Sequence, residues 1–200
     1  MNRLLRIAAP VALAVAVSAC SAASMLGGGG KVPPTLLTLT PDVAAPGEFT
    51  RAAAAAEAVT IAVPVVPKEL RTVRVPAQVG PTDVAYIKDV QWVDTPDKLF
   101  QSLVSETVRR TTNRVVLDPN QAALDPGLLV TGQLSKFGYD EAEHAVIVRY
   151  DGALSTAGGT RVESRRFEAK VPSNGDEYVG TALNQAANQV AASVARWIGG

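Results

Sequence analysis

Few residues of this chain could do chemistry, and they are scattered. The only histidine, His144, stands beside Asp140, Glu141 and Glu143. That grouping could take up a cation or relay a proton, and a solvated hairpin turn would look the same. Ser155 does not meet the Gly-x-Ser-x-Gly spacing of a nucleophile elbow, because Gly152 lies one residue too far upstream. With one cysteine and one histidine in 200 residues, a structural zinc site of Cys and His ligands cannot be assembled. Arg149, Arg161, Arg165 and Arg166 fall on neighbouring segments that read as a hairpin. They could meet lipid headgroups or an acidic partner, or form a solvated sheet face. No acid, base and nucleophile stand together, so the sequence reads as a non-enzyme with no catalytic residues, metal or cofactor.

The lone thiol, Cys20, takes its meaning from its surroundings. Arg3 and Arg6 precede an uncharged apolar run at residues 7–17, and Val17-Ser18-Ala19 lead into the cysteine. The run is shorter than the roughly 20 residues of a membrane-spanning helix and suits the apolar region of a signal peptide. Together these features resemble the lipobox of bacterial lipoproteins. There the cysteine sulfur takes a diacylglycerol, the peptide is cut before the cysteine, and the new amino group is acylated, commonly by palmitate. Residues 1–19 are thus expected to be signal peptide, and Cys20 a lipid anchor facing the periplasm. Ser21 stands where an aspartate would retain the protein at the inner membrane, so the outer membrane is expected. Cleavage removes two of the 19 basic residues, leaving 17 against 19 acidic ones, a formal charge of about −2. A nucleic-acid partner would call for a strongly basic balance or patch.

Residues 20–34 read as the lipidated cysteine and a flexible tether. Its glycines do not make a phosphate-binding loop, since Val32 stands at the Ser/Thr position. Residues 35–200 read as one domain. Thr35–Thr40 suggests a short strand closed by Pro41, and 42–58 a low-complexity insert rich in alanine. Val59, Ile61, Val63 and Val65 alternate with smaller residues, which predicts a strand whose Pro64 marks an edge or end. Segments 71–75 and 84–92 follow as strands, then a helix from Asp94 or Thr95 to Thr112 with Pro96 in its first turn. Segments 127–139, 144–156 and 161–172 read as long antiparallel strands, with a weak point or bulge at Gly152. An alanine-rich helix closes the chain from about 175 to 198, with Tyr178, Leu183, Val190, Val194 and Trp197 on its apolar face. The expected fold is α+β: a mixed, largely antiparallel sheet of five or more strands packed by two long helices.

The order of these features resembles the ABC-type transport auxiliary lipoprotein family. After the lipobox come a short strand at Thr38-Leu39, a proline-bracketed strand end at Pro64 to Pro67, and an aromatic strand ending at Trp92 before a proline-led helix. Ser164-Arg165-Arg166-Phe167-Glu168 and the closing helix complete the pattern. Gln91 stands where the family usually carries arginine, and Trp92 lies one residue farther from Pro96 than is commonest. The resemblance implies an accessory of Mce-type ABC systems, which move phospholipids or other hydrophobic molecules between inner and outer membranes. It also implies an Mce-domain protein as partner and a homo-oligomeric state. Trp92 is either a core residue between its strand and the following helix or an exposed partner contact. Two other classes stand beside this one: a lipoprotein adaptor or activator of another envelope machine, such as peptidoglycan synthesis or secretion, and a periplasmic enzyme.

Overall fold

The computed structural model describes residues 35–48, 50–54, 57–120, 127–156, 161–176 and 178–199. All belong to one compact unit, Pro33–Gly200. The expected signal peptide, Cys20 and the tether lie outside the described residues.

Three long strands form the body of a mixed sheet: β5 (Leu128–Asp140), β6 (Ala145–Ser155) and β7 (Val162–Pro172). Their side chains alternate as a half-buried sheet requires. Val146, Val148 and Tyr150 of β6 and Phe167, Ala169 and Val171 of β7 are buried on one face, while Arg149, Arg166, Glu168 and Lys170 stand on the other. The β6–β7 ladder runs unbroken from Ala145 opposite Pro172 to Ser155 opposite Val162. The irregularity expected at Gly152 occurs instead on β5, between Leu134 and Lys136, where Ser135 is the extra residue. This bulge lets Leu134 and Phe137, three residues apart, both enter the core. Gly152 has another purpose: an added Cβ would lie 2.9 Å from the Tyr150 ring and 3.3 Å from that of Trp197.

The opposite edge of β5 is shared in succession by two short parallel strands. β1 (Val59–Ile61) pairs with residues 128–130 of β5, Val65 bridges to Gln133, and β2 (Arg74–Gln78) pairs with Tyr139 and Asp140. β4 (Val116–Leu117) lies parallel beyond β1, and β3 (Val84–Gln91) antiparallel beyond β2. The expectation of a largely antiparallel sheet therefore understates the parallel share, since three of the six ladders among the described residues are parallel. Pro76, which has no N–H to donate, sits where the β2–β3 register shifts, and β3 loops out there at Lys88 and Asp89. Thr35–Thr40 is not a strand; a single bridge joins Leu37 to Trp92.

Two helices cover the buried face. α1 (Pro96–Thr111) sets Phe100, Leu103, Val104, Thr107 and Val108 at spacings of three and four against the sheet. Its last turn carries Arg109 and Arg110, where cations suit the helix dipole. α2 (Val179–Gly199) buries Ala186, Ala187, Ala191 and Ala195, whose small side chains permit close approach to the sheet and to α1. Phe100 of α1 packs on Tyr150 with centroids 5.2 Å apart, and Trp197 of α2 packs on Phe167 at 5.4 Å. Tyr178, expected on the apolar face of α2, precedes the helix and is 70% exposed.

Candidate functional site

His144 occupies the exposed Glu141–His144 turn with a left-handed φ of 46°. Its neighbours are already engaged: Asp140 is buried and bonded to Lys136 Nζ at 3.3 Å, and Glu143 pairs with Lys170 at 2.8 Å. Ser155, at the other end of β6, directs its Oγ to the Leu129 carbonyl at 3.5 Å. The 11-residue strand between them spans roughly 35 Å, so His144 and Ser155 cannot act together. Among the described residues, no group of three His, Cys, Asp or Glu side chains could hold a metal ion.

The four arginines singled out above also separate. Arg149 pairs with Glu168 and Arg166 with Asp151 on the solvent face. Arg161 lies 3.5 Å from Glu163, and the Arg165 guanidinium sits over the Phe167 ring at 5.4 Å. The hydrogen bond from Arg166 holds the Asp151 carboxyl below the usual range, helped by Ser135 and opposed by partial burial. The bond to Glu143 raises the Lys170 ammonium above its ordinary value. Among the described residues, the outer face thus carries charges of opposite sign set in pairs.

The cavities differ in size. One of about 100 Å³, between Leu70, Pro76, Phe137 and Tyr139, falls below the roughly 300–1,000 Å³ of ordinary ligand sites. A larger one of about 810 Å³ lies where Thr112 and Arg114 meet Ala192, Ala195 and Arg196, and it opens broadly to solvent. Among the described residues no helix is long and apolar enough to cross a membrane.

Trp92 lies in the core, 1% exposed, with its ring 5.4 Å from that of Phe137. Its backbone N–H donates to Val73 O at 2.7 Å, and among the described residues its indole N–H has no hydrogen-bond partner. Leu37 lies alongside: its N–H donates to Gln91 O, and its carbonyl accepts from Val93 N–H at 2.9 Å. From Leu37 the chain crosses the helices as a strap. Thr40 N–H donates to Asn184 Oδ1, Asp42 N–H donates to Asn188 Oδ1, and Asn188 Nδ2 returns a bond to Thr40 O. Arg110 then donates to Val43 O at 2.6 Å, and Arg51 to Arg109 O at 2.7 Å.

The family profile described as "ABC-type transport auxiliary lipoprotein component" matches residues 38–195, from the strap to the last turns of α2. The chain belongs to this family. Its role is therefore that of an auxiliary component of an ABC-type transport system, and the family is one of membrane-associated lipoproteins. Among solved structures, a Xanthomonas campestris protein of family DUF330 is 17% identical, with a TM-score of 0.70 over 82% of this chain and 94% of that one. A second crystal structure, of an uncharacterised protein, is 16% identical with a TM-score of 0.60 over 71% and 92%. A PelC L103M dodecamer from Paraburkholderia phytofirmans matches at 14% identity and a TM-score of 0.44, over 75% and 95%. The first two likenesses show the fold alone. A search of the curated proteins returned no match.

Within this auxiliary-component domain, sequence reasoning passed over the strap and its two asparagines. The available signal was Asn184 and Asn188, four residues apart, interrupting the alanine- and valine-rich run of the closing helix. A polar residue nearly buried on such a face calls for a partner, and here the partner is the strap backbone.

Proposed function

We propose that this auxiliary lipoprotein is held to the outer membrane through Cys20 and serves an Mce-type ABC system moving lipids or other hydrophobic molecules between the two membranes. The observation that carries the reading is one of order along the chain. The family match begins at residue 38, shortly after the sequence's sole cysteine, which follows Val17-Ser18-Ala19 and an apolar run. In this reading cleavage after Ala19 frees the Cys20 amino group, the sulfur holds a thioether-linked diacylglycerol, and an acyl chain such as palmitate caps the amine. Two or more chains give stable anchoring, where a single one binds only marginally. The domain acts by binding, as a homo-oligomer that docks an Mce-domain protein near the membrane.

The test is crosslinking in cells followed by identification of partners, with Cys20→Ser as the companion variant. An Mce-domain protein is expected in the crosslinked product, and C20S is expected to stay unprocessed or to leave the membrane fraction. Capture of cell-wall synthases alone by a monomer would replace the transport reading with that of an envelope adaptor. Equal membrane retention of C20S, with no acyl mass on the wild type, would remove the anchor.

A further inference from the structure

We propose that the end of the domain marked by Leu36, Val93 and Tyr178 rests on the lipid surface that carries the anchor. The proposal builds on the Cys20 reading above and adds an orientation to it. All three residues are large, apolar and open, at 45%, 55% and 70% exposure. Each is close in sequence to a residue that meets Leu37, or bonds Leu37 itself. Leu36 precedes it, Val93 donates its N–H to the Leu37 carbonyl, and Tyr178 lies two residues before Gly180. A Cβ at Gly180 would stand 2.5 Å from Leu37 Cδ2, so the start of α2 is pressed against this residue.

The chemistry suits an interface between water and lipid. Tyrosine presents an apolar ring with a polar tip and is favoured at headgroup depth, while leucine and valine add apolar area. Lys98 lies 3.2 Å from Asp94, and Asp176 Oδ1 accepts the Tyr178 N–H at 3.0 Å. Residues 21–34 separate Cys20 from Thr35, and a chain of that length spans at most about 50 Å even when fully extended. The 21-residue α2 is about 31 Å long. Val162, 67% exposed, lies next to Glu163, whose carboxylate accepts the Trp197 indole N–H near the far end of that helix. In this reading the chain from the anchor enters the domain at the Leu36 end, nearer that end than the Val162 end.

The experiment uses the full lipidated chain in phosphatidylethanolamine–phosphatidylglycerol vesicles at a low protein-to-lipid ratio. Because Cys20 is the only native cysteine and is occupied by lipid, V93C, Y178C and V162C each offer one thiol for a nitroxide. Collision with a water-soluble nickel chelate is then compared with collision with oxygen. At positions 93 and 178 the nickel collisions are expected to fall severalfold below those at 162, with oxygen collisions raised. Equal nickel access at all three positions, in protein that floats with the vesicles, overturns the proposal and leaves the anchor standing. Protection of 93 and 178 that arises only when a partner protein is added overturns it in favour of protein docking. Protein that fails to float overturns the anchor, and the orientation with it.

Discussion

Trp92 is the residue on which stability turns. It is buried against Phe137, and its removal leaves a large void at the junction of β3, α1 and Leu37. Trp92→Ala is expected to cost about 3–5 kcal/mol. At roughly 2–4 °C per kcal/mol for a domain of this size, the thermal midpoint should fall by about 6–20 °C. Trp92→Phe keeps much of the apolar burial and removes the unpaired indole N–H, whose desolvation alone costs about 1–3 kcal/mol. It should therefore be much the milder change, and calorimetry on the two variants checks the order. Tyr150 and Asp151 are two of the titrating groups that shape the pH limits. Burial raises the Tyr150 phenol, whose O–H donates to Thr131 O at 2.9 Å. Its contribution is complete below the unfolded value of about 10 and is lost as pH climbs beyond it. Asp151 is shifted the other way by Arg166, so its contribution is present above the unfolded value of about 3.9 and is lost as pH falls below it. Tyr150→Phe should flatten the alkaline limb of a stability–pH curve and Asp151→Asn the acid limb; unchanged limbs in the variants would refute both assignments.

At the scale of elements, the β2–β5 contact is sensitive to added volume. A Cβ at Gly138 would stand 2.4 Å from the Pro76 carbonyl oxygen, and backbone cannot step aside as a side chain can. Gly138→Ala should destabilise by about 1–3 kcal/mol, as overpacking does, and chemical denaturation measures it. The strap depends instead on Asn188, which bonds both Asp42 N–H and Thr40 O. Asn188→Ala should free the strap, so that the Asp42 amide exchanges with solvent much faster while amides of β6 hold their protection. The sequence made β5, β6, β7 and both helices legible, because period-two and period-3.6 patterns carry over long segments and proline and turn residues mark their ends. It did not disclose the strap, whose bonds join residues 144 to 148 positions apart through single side chains. Nor did it disclose that β1 and β2 share one edge of β5, since strands of three and five residues carry little pattern. Trp92 was narrowed to two readings by its place before a helix. Leu36, Val93 and Tyr178 were missed because exposure of an apolar residue is a property of the packed molecule.

For the molecule as a whole, one hydrophobic cluster runs from Val59 through Trp92, Phe137 and Tyr150 to Ile198. A single cluster of this kind unfolds as a unit. Tryptophan fluorescence and far-ultraviolet circular dichroism should therefore give coincident thermal transitions; a separate early transition in either would show that the sheet and the helices are independent. The strap adds a consequence in mechanics. Thr40 and Asp42 are fastened in turn to Asn184 and Asn188, so tension entering from the N-terminal side loads these fastenings one after another. The β5–β6 and β6–β7 ladders carry eleven paired positions each and share load along their length. Under pulling, the strap should peel first at low force while the sheet remains whole, giving the domain extra slack before its core is strained.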